Sequence, residues 1–322
     1  MQMVQFKPTY MKYINGIQHR GGWKYVIANL LKNNFFNMNS KYVFFDTIEI
    51  HFLHQRNYVC NEKWTGIIHW TPKTPNYLSD SNIALLFTNI NFIKSLKNCF
   101  LIITLSNYIT QYLEYKFKTL GFTIPICTLK HPVMTNNILK FDIKKYYANS
   151  KKHIMQIGQQ MRKLSSIYLI NTTSHKKIWL TGEKNMSHCT NMLNREINYF
   201  NINRNLIRND VSMLYTNTYE EYDDLLSKNI VFIDLFDAAA NNVVIECIIR
   251  NTPIIINRIP GVMDYLGFDY PLYFTNLSEI NDLLNDNNKI ELAYNYLLNM
   301  DKTDLQFGHF YKQLMYNIQK YV

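Results

Sequence analysis

The chain has 322 residues, of which 47% are hydrophobic and 18% charged, which excludes a disordered protein and allows two domains. Its formal net charge is +10, but lysines and arginines are scattered in pairs such as Lys144-Lys145, so we expect no nucleic-acid partner. Five separate cysteines and the lack of a long apolar stretch argue against disulfides, a zinc site and a membrane span, so we expect a cytoplasmic protein with at most peripheral membrane contact.

The first half of the chain alternates short apolar strands with amphipathic helices. A glycine turn at Arg20-Gly21-Gly22 precedes apolar residues at helical spacing, and a second helix is predicted after Ser106. Strands are predicted at residues 42–45, 66–69, 100–105 and 124–129. This alternation predicts a mainly parallel sheet in an N-terminal domain of residues 1–140.

A second series of strands and helices follows a polar connection near residues 135–150. Strands are predicted at residues 153–157, 177–181, 211–215, 231–235 and 254–257, with a helix after Gly158 and others at residues 220–226 and around Glu246. A closing helix in residues 301–322 is placed to pack back on the first domain. The pattern predicts an α/β fold of two Rossmann-like, doubly wound parallel-sheet domains, residues 1–140 and 141–300, that face a central cleft.

Several polar residues and glycines follow predicted strands, at the end of the sheet where such folds bind ligands. His69 and Gly158 each follow a strand, and Asn241-Asn242 precede a helix. Because asparagine is a good N-cap, we expect that helix to begin with free backbone amides and a positive dipole end that suits a phosphate.

Glu246 is a single carboxylate within an apolar helical run. A buried carboxylate needs hydrogen-bond or charge partners. Ligand hydroxyls one turn behind a phosphate site would supply them, which indicates a nucleotide. The alternative is a contact with Arg250, four residues further along the helix.

These motifs resemble the GT-B superfamily of nucleotide-sugar glycosyltransferases, and the likeness in organisation covers nearly the whole chain. Glu246 with Thr252-Pro253 is similar to the segment that holds the donor ribose in that family. Residues 158–163, with Arg162 and Lys163, resemble its phosphate-binding loop. Arg20-Gly21-Gly22 resembles the glycine loop of its first domain.

The predicted catalytic residues also come from this resemblance. His69 resembles a histidine that lies near the transferred sugar in several retaining members. Many retaining members carry a glutamate eight positions before the ribose-binding one; here that position is Ala238, and the adjacent Asp237 is the candidate substitute. The stereochemical outcome therefore stays open. A narrower likeness, through Asn241-Asn242 and Tyr265-Leu266-Gly267, is to a less characterised transferase group of large viruses and microbes.

The resemblance implies transfer of a sugar from a nucleoside diphosphate sugar, used as a co-substrate with no other cofactor, to a glycan, lipid-linked or protein acceptor. The implied donor-binding residues are Gly21, Gly22, Gly158, Arg162, Lys163, Asn241, Asn242 and Glu246. Cationic side chains and helix dipoles would stabilise the leaving diphosphate, so no metal is expected. Two alternatives remain: a nucleotide-sugar epimerase of the same fold, and a catalytically degenerate interaction protein, which Ala238 favours.

Overall fold

The computed structural model describes residues 22–37, 42–55, 58–182 and 186–322. Within these residues the first sheet has four parallel strands in the order β1-β2-β3-β4, formed by Val43–Phe45, Trp64–Ile68, Cys99–Thr104 and Ile126–Thr128. The same part of the chain forms the helices α1 (Trp23–Lys32), α2 (Ile90–Ser95) and α3 (Asn107–Thr119).

The second sheet has six parallel strands in the order β10-β9-β8-β5-β6-β7 within the described residues. These strands are β5 (His153–Ile157), β6 (Lys176–Leu180), β7 (Val211–Leu214), β8 (Ile230–Ile233), β9 (Ile254–Asn257) and β10 (Tyr273–Phe274). The remaining helices are α4 (Ile143–Ala148), α5 (Ser166–Leu169), α6 (Met186–Tyr199), α7 (Tyr219–Lys228), α8 (Asn242–Arg250), α9 (Pro260–Leu266), α10 (Ile280–Asn285), α11 (Asn287–Asn299) and α12 (Phe307–Tyr321).

Helices cover both faces of the first sheet, because alternate strand residues point to opposite sides. Ile67 and Ile103 belong to a hydrophobic core with residues of α1 and α12. Ile68 and Ile102 belong to a second core with residues of α2 and α3. The last helix of the chain therefore packs on the first sheet.

The strand order of the second sheet reverses between β5 and β8. The chain builds outward from β5 through β6 and β7 on one side, and from β8 through β9 and β10 on the other. Parallel α/β sheets bind ligands beyond the carboxyl ends of the strands at such a reversal. Gly158 follows β5 here, and the loop that ends at Asn241 follows β8.

The two predicted Rossmann-like parallel-sheet domains are confirmed. Strands β5 and β9 begin and end where predicted, whereas β10 and α6 were not among the predicted elements. The helix predicted after Gly158 begins only at Ser166, because Met161 has a positive φ of 62° and Arg162 bonds back to the Ile157 carbonyl. The domain boundaries at residues 140 and 300 stay predictions.

Within the part of the chain that the structure describes, no helix is both long enough and apolar enough to cross a bilayer.

Candidate functional site

A cavity of about 560 Å³ opens between residues that follow the strands of the two sheets. The first sheet contributes residues of its carboxyl edge and of the α1 start, among them Gly22, Trp23, Thr47, His69 and Thr71. The second sheet contributes residues of the loops after β5 and β8, among them Gly158, Arg162, Asp237 and Asn241, and α7 contributes Tyr222. A concave site with convergent polar groups at a strand-order reversal is the expected place for a ligand.

Arg162 brings a buried cation to the second-sheet wall of this cavity. The residue is 8% exposed, and its Nε donates to the Ile157 carbonyl at 3.1 Å. Gly158 has a φ of +76°, which favours glycine, and a Cβ built at that position would be in ordinary van der Waals contact with the guanidinium, 3.5 Å from Cζ of Arg162. Burial lowers the pKa of Arg162 to about 10, so its charge persists at neutral pH. Among the described residues that line the cavity, it is the only lysine or arginine.

Helix α8 begins at the cavity with Asn241 as its N-cap. The Asn241 side chain accepts hydrogen bonds from the backbone amides of Val243 at 3.1 Å and Val244 at 3.3 Å. The prediction of free amides was wrong for these two, because the N-cap side chain turns back on them. Asn242 also lines the cavity, and Oδ1 of Asn241 lies 3.5 Å from Nη2 of Arg162. The helix dipole and Arg162 therefore concentrate positive potential in one region.

Glu246 lies one turn further along α8, and its side chain is fully buried and outside the cavity lining. Its Oε2 is 3.4 Å from Nη1 of Arg250, whose Nη2 is 2.6 Å from Oδ1 of Asp223. This contact with Arg250 is the alternative that the sequence left open. Tyr222 lines the cavity instead, and burial followed by the Glu246 carboxylate raises the pKa of Tyr222 well above its ordinary value. A ribose contact by Glu246 stays a prediction that requires Tyr222 to move or to mediate it.

Lys163 does not reach this cavity, although the sequence placed it there. Its Nζ lies 2.9 Å from Oδ1 of Asp234, and it lines a second cavity of about 570 Å³. The backbone of the two residues is held by the second sheet, since Arg162 forms an isolated β-bridge with Leu235 and the Lys163 amide donates to the Asp234 carbonyl at 2.8 Å. Arg162 and Lys163 therefore serve two different surfaces.

His69 follows β2 on the first-sheet wall. Its Nε2 is 2.9 Å from the Asp46 carbonyl, which can only accept, so Nε2 donates and Nδ1 is left as an acceptor. Its ring packs edge-on against Trp23 with centroids 4.2 Å apart. Burial is the main cause that lowers the pKa of His69 to about 3, so the ring is neutral at physiological pH. This environment suits a hydrogen-bond acceptor better than a strong base.

Glu49 fixes the loop that carries His69, and the sequence reasoning missed it. Its Oε1 accepts hydrogen bonds from the backbone amides of His69 and Trp70, each at 2.6 Å. The residue is fully buried, and burial raises its pKa to about 7. The available signal was an acid between the apolar residues Ile48 and Ile50, the same kind of feature as Glu246.

Asp237 connects the two walls of the cavity. Its Oδ2 accepts hydrogen bonds from the Tyr108 hydroxyl at 3.0 Å and from the Lys73 backbone amide at 3.1 Å. Both donors belong to the first half of the chain, whereas Asp237 follows β8. Burial raises the pKa of Asp237 above its ordinary value. Its predicted catalytic role stays a prediction, with the carboxylate placed at the cavity next to Ala238.

Gly22 lines the cavity as the N-cap of α1, whereas Arg20 and Gly21 lie outside the described residues. The structure thus gathers most of the predicted site residues around one cavity: Gly22, His69, Gly158, Arg162, Asp237, Asn241 and Asn242. It leaves Lys163 and Glu246 outside that lining.

No protein-family model and no curated protein matches the sequence. Solved structures match the fold at low sequence identity. The N-terminal domain of trehalose-6-phosphate phosphatase from Candida albicans is 14% identical, over 81% of this chain and 66% of that one, with a TM-score of 0.53. A UDP-forming α,α-trehalose-phosphate synthase from Burkholderia xenovorans, solved with glucose-6-phosphate, is 11% identical over 80% and 68%, with a TM-score of 0.54.

The sucrose-phosphate synthase of Thermosynechococcus elongatus is 11% identical over 91% of this chain and 78% of that one, with a TM-score of 0.60. The chain spans slightly less than two thirds of the Candida protein's length, at 66%. At these identities the likeness concerns the arrangement of strands and helices. Two parallel α/β domains with a cavity between them, matched to these structures, show that the chain has the GT-B fold.

Proposed function

We propose that the protein is a glycosyltransferase that moves a sugar from a nucleoside diphosphate sugar to a hydroxyl acceptor without a metal ion. The observation that carries the proposal is the meeting of Arg162 and the start of α8 at the strand-order reversal, inside the interdomain cavity. The fold neighbours support it, since they include a UDP-forming synthase and a sucrose-phosphate synthase.

In this proposal, Arg162 stabilises the negative charge of the leaving diphosphate. As the bond between the anomeric carbon and the diphosphate breaks, negative charge grows on the departing phosphate. A preorganised guanidinium in a largely buried position stabilises this charge, and the α8 dipole adds to it. These groups would take the part that a divalent cation has in metal-dependent phosphate chemistry.

In the proposed complex, His69 and Asp237 contact the transferred sugar. The Nδ1 of His69 can accept a hydrogen bond from a sugar hydroxyl, since Nε2 is engaged by Asp46. The Asp237 carboxylate can bind another hydroxyl or favour the positive charge that develops at the anomeric centre. We assign both residues to the transferred sugar.

Donor binding is the first test of this proposal. A thermal-shift series would use UDP, GDP, ADP, CMP and dTDP together with their sugar conjugates, with UDP first because a fold neighbour is UDP-forming. A ligand at 100 times its Kd stabilises a protein by about 2.7 kcal/mol, which such a series detects. We expect one base to shift the Tm and Arg162→Ala to reduce that shift. The absence of a shift with every nucleotide would refute the proposal.

The buried Glu246–Arg250 contact favours a second candidate, a GT-B protein that binds a nucleotide and does not turn over. The two candidates differ in product. A transferase releases nucleoside diphosphate from the bound sugar donor. The release is slow when the sugar is transferred to water and faster when an acceptor is present. Tight binding of the nucleotide sugar with no release of nucleoside diphosphate over hours would show that the protein is the second, inactive candidate.

A further inference from the structure

Five lysines lie together at one edge of the second sheet, although the sequence carries them in separate places. Lys152 directly precedes β5, and Lys176 begins β6. The two strands are neighbours, and the Lys176 amide donates to the Lys152 carbonyl at 2.9 Å. This is the amino end of the sheet, opposite to the carboxyl ends that border the cavity. We call this group the lysine surface, and its members are Lys144, Lys145, Lys151, Lys152 and Lys176.

Helix α4 lies at the same edge and carries residues 144–145 of the lysine surface. Nζ of Lys152 is 4.8 Å from the ring centroid of Tyr146 and 5.7 Å from that of Tyr147, and both tyrosines belong to α4. The Tyr146 hydroxyl is 2.9 Å from Nε2 of His175, the residue before β6. These contacts bring the helix and the starts of two strands together, so the separate lysines become one surface.

The lysine surface has few opposing charges. Four of its members are exposed, the fifth, Lys152, is half-buried, and none forms a salt bridge within the described residues. Asp142 is the N-cap of α4 and accepts from two backbone amides of that helix, at 2.9 Å and 3.2 Å. Asp210 pairs with the buried Lys177 at 2.6 Å. Glu291 on α11 adds one more negative charge near this edge. The surface therefore keeps an excess of positive charge.

Two histidines beside the lysine surface show the effect of that charge. Burial, followed by the charge of Lys152, lowers the pKa of His175 to about 4. Burial is also the main cause that lowers the pKa of His153, and the charge of Lys176 acts in the same direction. The lysine charges thus reach the same small region of the fold.

The chemistry of this surface suits a membrane with anionic lipids. Lysine ammonium groups are compact, hydrated charges, and clusters of them are attracted to the negative surface of such membranes. Exposed apolar side chains accompany them, since Tyr147 is 37% exposed and Leu139 is 43% exposed. Leu139 lies near the same edge because the Phe141 amide donates to the carbonyl of Arg250, which ends α8 before β9 begins. Tyrosine and leucine side chains of this kind enter the headgroup region of a bilayer.

A nucleic acid fits the lysine surface less well. Arginine is the residue that binds phosphates and base edges with two hydrogen bonds, and neither the lysine surface nor α4 contains one. Proteins that bind single strands stack successive bases on several aromatic rings. In α4 the Tyr146 ring is buried, which leaves Tyr147 as the exposed ring of this helix.

We propose that the lysine surface binds a membrane that contains anionic lipids and attaches the protein to it as a peripheral protein. The surface and the cavity lie at opposite ends of the second sheet, separated by the five-residue strands β5 and β6, which are about 16 Å long. A membrane bound to the lysine surface therefore leaves the cavity accessible. This inference does not depend on the proposed transferase function.

Co-sedimentation of the whole protein with lipid vesicles tests the inference. The probes are vesicles of phosphatidylcholine alone and vesicles with about 30% phosphatidylserine, each in about 0.1 M and about 0.5 M salt. We expect binding to the phosphatidylserine vesicles at the lower salt and its loss at the higher salt, because the ions screen the lysine charges. No binding to either kind of vesicle, equal binding to both, or binding that persists at the higher salt overturns the inference.

Two double variants test the location of the contact, Lys144→Gln with Lys145→Gln and Lys151→Gln with Lys176→Gln. Each lysine near an anionic surface contributes about 5-fold in affinity, so each double variant should bind the phosphatidylserine vesicles about 25-fold more weakly. The Tm should stay unchanged, because these lysines form no salt bridge with a described residue. Wild-type binding by both double variants overturns the assignment of the lysine surface.

The matched control is Lys94→Gln with Lys97→Gln. Both lysines are exposed in the first half of the chain, at the end of α2 and just after it, and the net charge falls by the same amount. The control should bind the vesicles like the wild type. An equal loss in the control would show that net charge alone drives the binding, which overturns the lysine surface. Displacement of the protein from the vesicles by an equal phosphate concentration of single- or double-stranded oligonucleotide overturns the choice of a lipid partner.

Discussion

Arg162 is the residue whose loss we expect to affect turnover most. Its side chain bonds to the carbonyls of Ile157 and Gln160 and pairs with no carboxylate of the described residues, so Arg162→Ala removes a cation without stranding any of these carboxylates. Loss of one electrostatic stabiliser of a developing anion lowers kcat by about 10²–10³-fold. Steady-state release of nucleoside diphosphate measures the effect. Arg204→Ala is the control, because that exposed arginine contacts Asn198 away from the cavity. Wild-type turnover in folded Arg162→Ala would remove the residue from the mechanism.

Variants of Glu246 and Asp223 can be compared to separate an effect on ligand binding from an effect on stability. Both contact the buried Arg250, at 3.4 Å and 2.6 Å. Removing one partner of a buried ion pair costs about 3 kcal/mol, so Glu246→Ala and Asp223→Ala should both lower the free energy of unfolding in urea titrations. If Glu246 also reaches the donor ribose, Glu246→Ala alone should weaken nucleotide binding, by about tenfold in calorimetry. Equal nucleotide affinity in the two variants would assign Glu246 a structural role.

The location of a candidate site residue could be predicted from the sequence where chain position alone decides it, whereas the roles of these residues stay predictions. His69, Gly158 and Asn241 follow strands, and all three line the cavity. Lys163 lies outside it because it pairs with Asp234, which no motif specifies, and Glu246 lies outside it because it contacts Arg250, the partner that the sequence indicated only as the alternative. Glu49 was missed for a similar reason, because its role depends on hydrogen bonds from two backbone amides that lie about twenty residues away in the sequence.

The start of α8 gives a prediction about a whole helix. Asn241→Asp preserves the N-cap, and its new charge favours the helix dipole by about 0.3–1 kcal/mol, so the Tm should not fall. The same carboxylate would pair with Arg162, now 3.5 Å from Oδ1 of Asn241, and repel a phosphate. We expect the Kd for the nucleoside diphosphate to rise by about tenfold or more in calorimetry.

The control for this variant lies at another helix. Asn89 caps α2 by accepting from the amides of Asn91 at 2.9 Å and Phe92 at 3.0 Å, and it is outside the cavity lining. Asn89→Asp should therefore leave nucleotide binding unchanged, while its Tm should fall, because the variant loses the Nδ2 that donates to the Phe52 carbonyl at 3.0 Å. Equal nucleotide affinity in Asn241→Asp and the wild type would show that the α8 start does not bind the phosphates.

Elements with a clear apolar pattern could be predicted from the sequence, and short ones could not. The bounds of β5 and β9 could be predicted because β5 ends at Gly158 and β9 follows Pro253 with three consecutive isoleucines, whereas β10 has two residues and no periodicity to detect. Helix α6 was overlooked, although buried Cys189, Leu193 and Ile197 recur at helical spacing. Helix α5 begins late because the Arg162 side chain donates a hydrogen bond to the Ile157 carbonyl, and helix propensity does not predict such a contact.

At the scale of the whole molecule, the alternation of strands and helices was enough to predict two parallel sheets. It did not predict which residues form the contacts between the two halves of the chain. The Tyr265 hydroxyl donates to the Leu105 carbonyl at 2.7 Å and accepts from the His131 amide at 2.9 Å. These bonds join residues more than 130 positions apart in the sequence and help to set the cavity shape. Nothing in the local pattern around Tyr265 specifies either partner.

Buried titratable groups make the stability of the molecule depend on pH, in two opposing directions. Burial lowers the pKa of His69 to about 3 and those of His131 and His175 to about 4. Their contribution to stability is complete above the unfolded histidine value of about 6.5 and is lost as the pH falls toward the folded values. Burial raises the pKa of Glu49 to about 7, so its contribution is complete below about 4.5 and is lost as the pH rises through 7.

Among these four groups, the three histidines outweigh the one glutamate between pH 6.5 and 4.5, since together the four bind about two more protons in the unfolded chain there. The free energy of unfolding should therefore fall with decreasing pH, by at most about 3 kcal/mol per pH unit in urea titrations. Glu49→Gln removes the opposing group but keeps a carbonyl oxygen for the amides of His69 and Trp70, so the free energy of unfolding of this variant should fall more steeply over the same range, by about 1 kcal/mol per pH unit. A wild-type free energy that is level or rises on acidification would show that these histidines are protonated in the folded protein. Parallel curves for wild type and variant would show that Glu49 is ionised throughout the range.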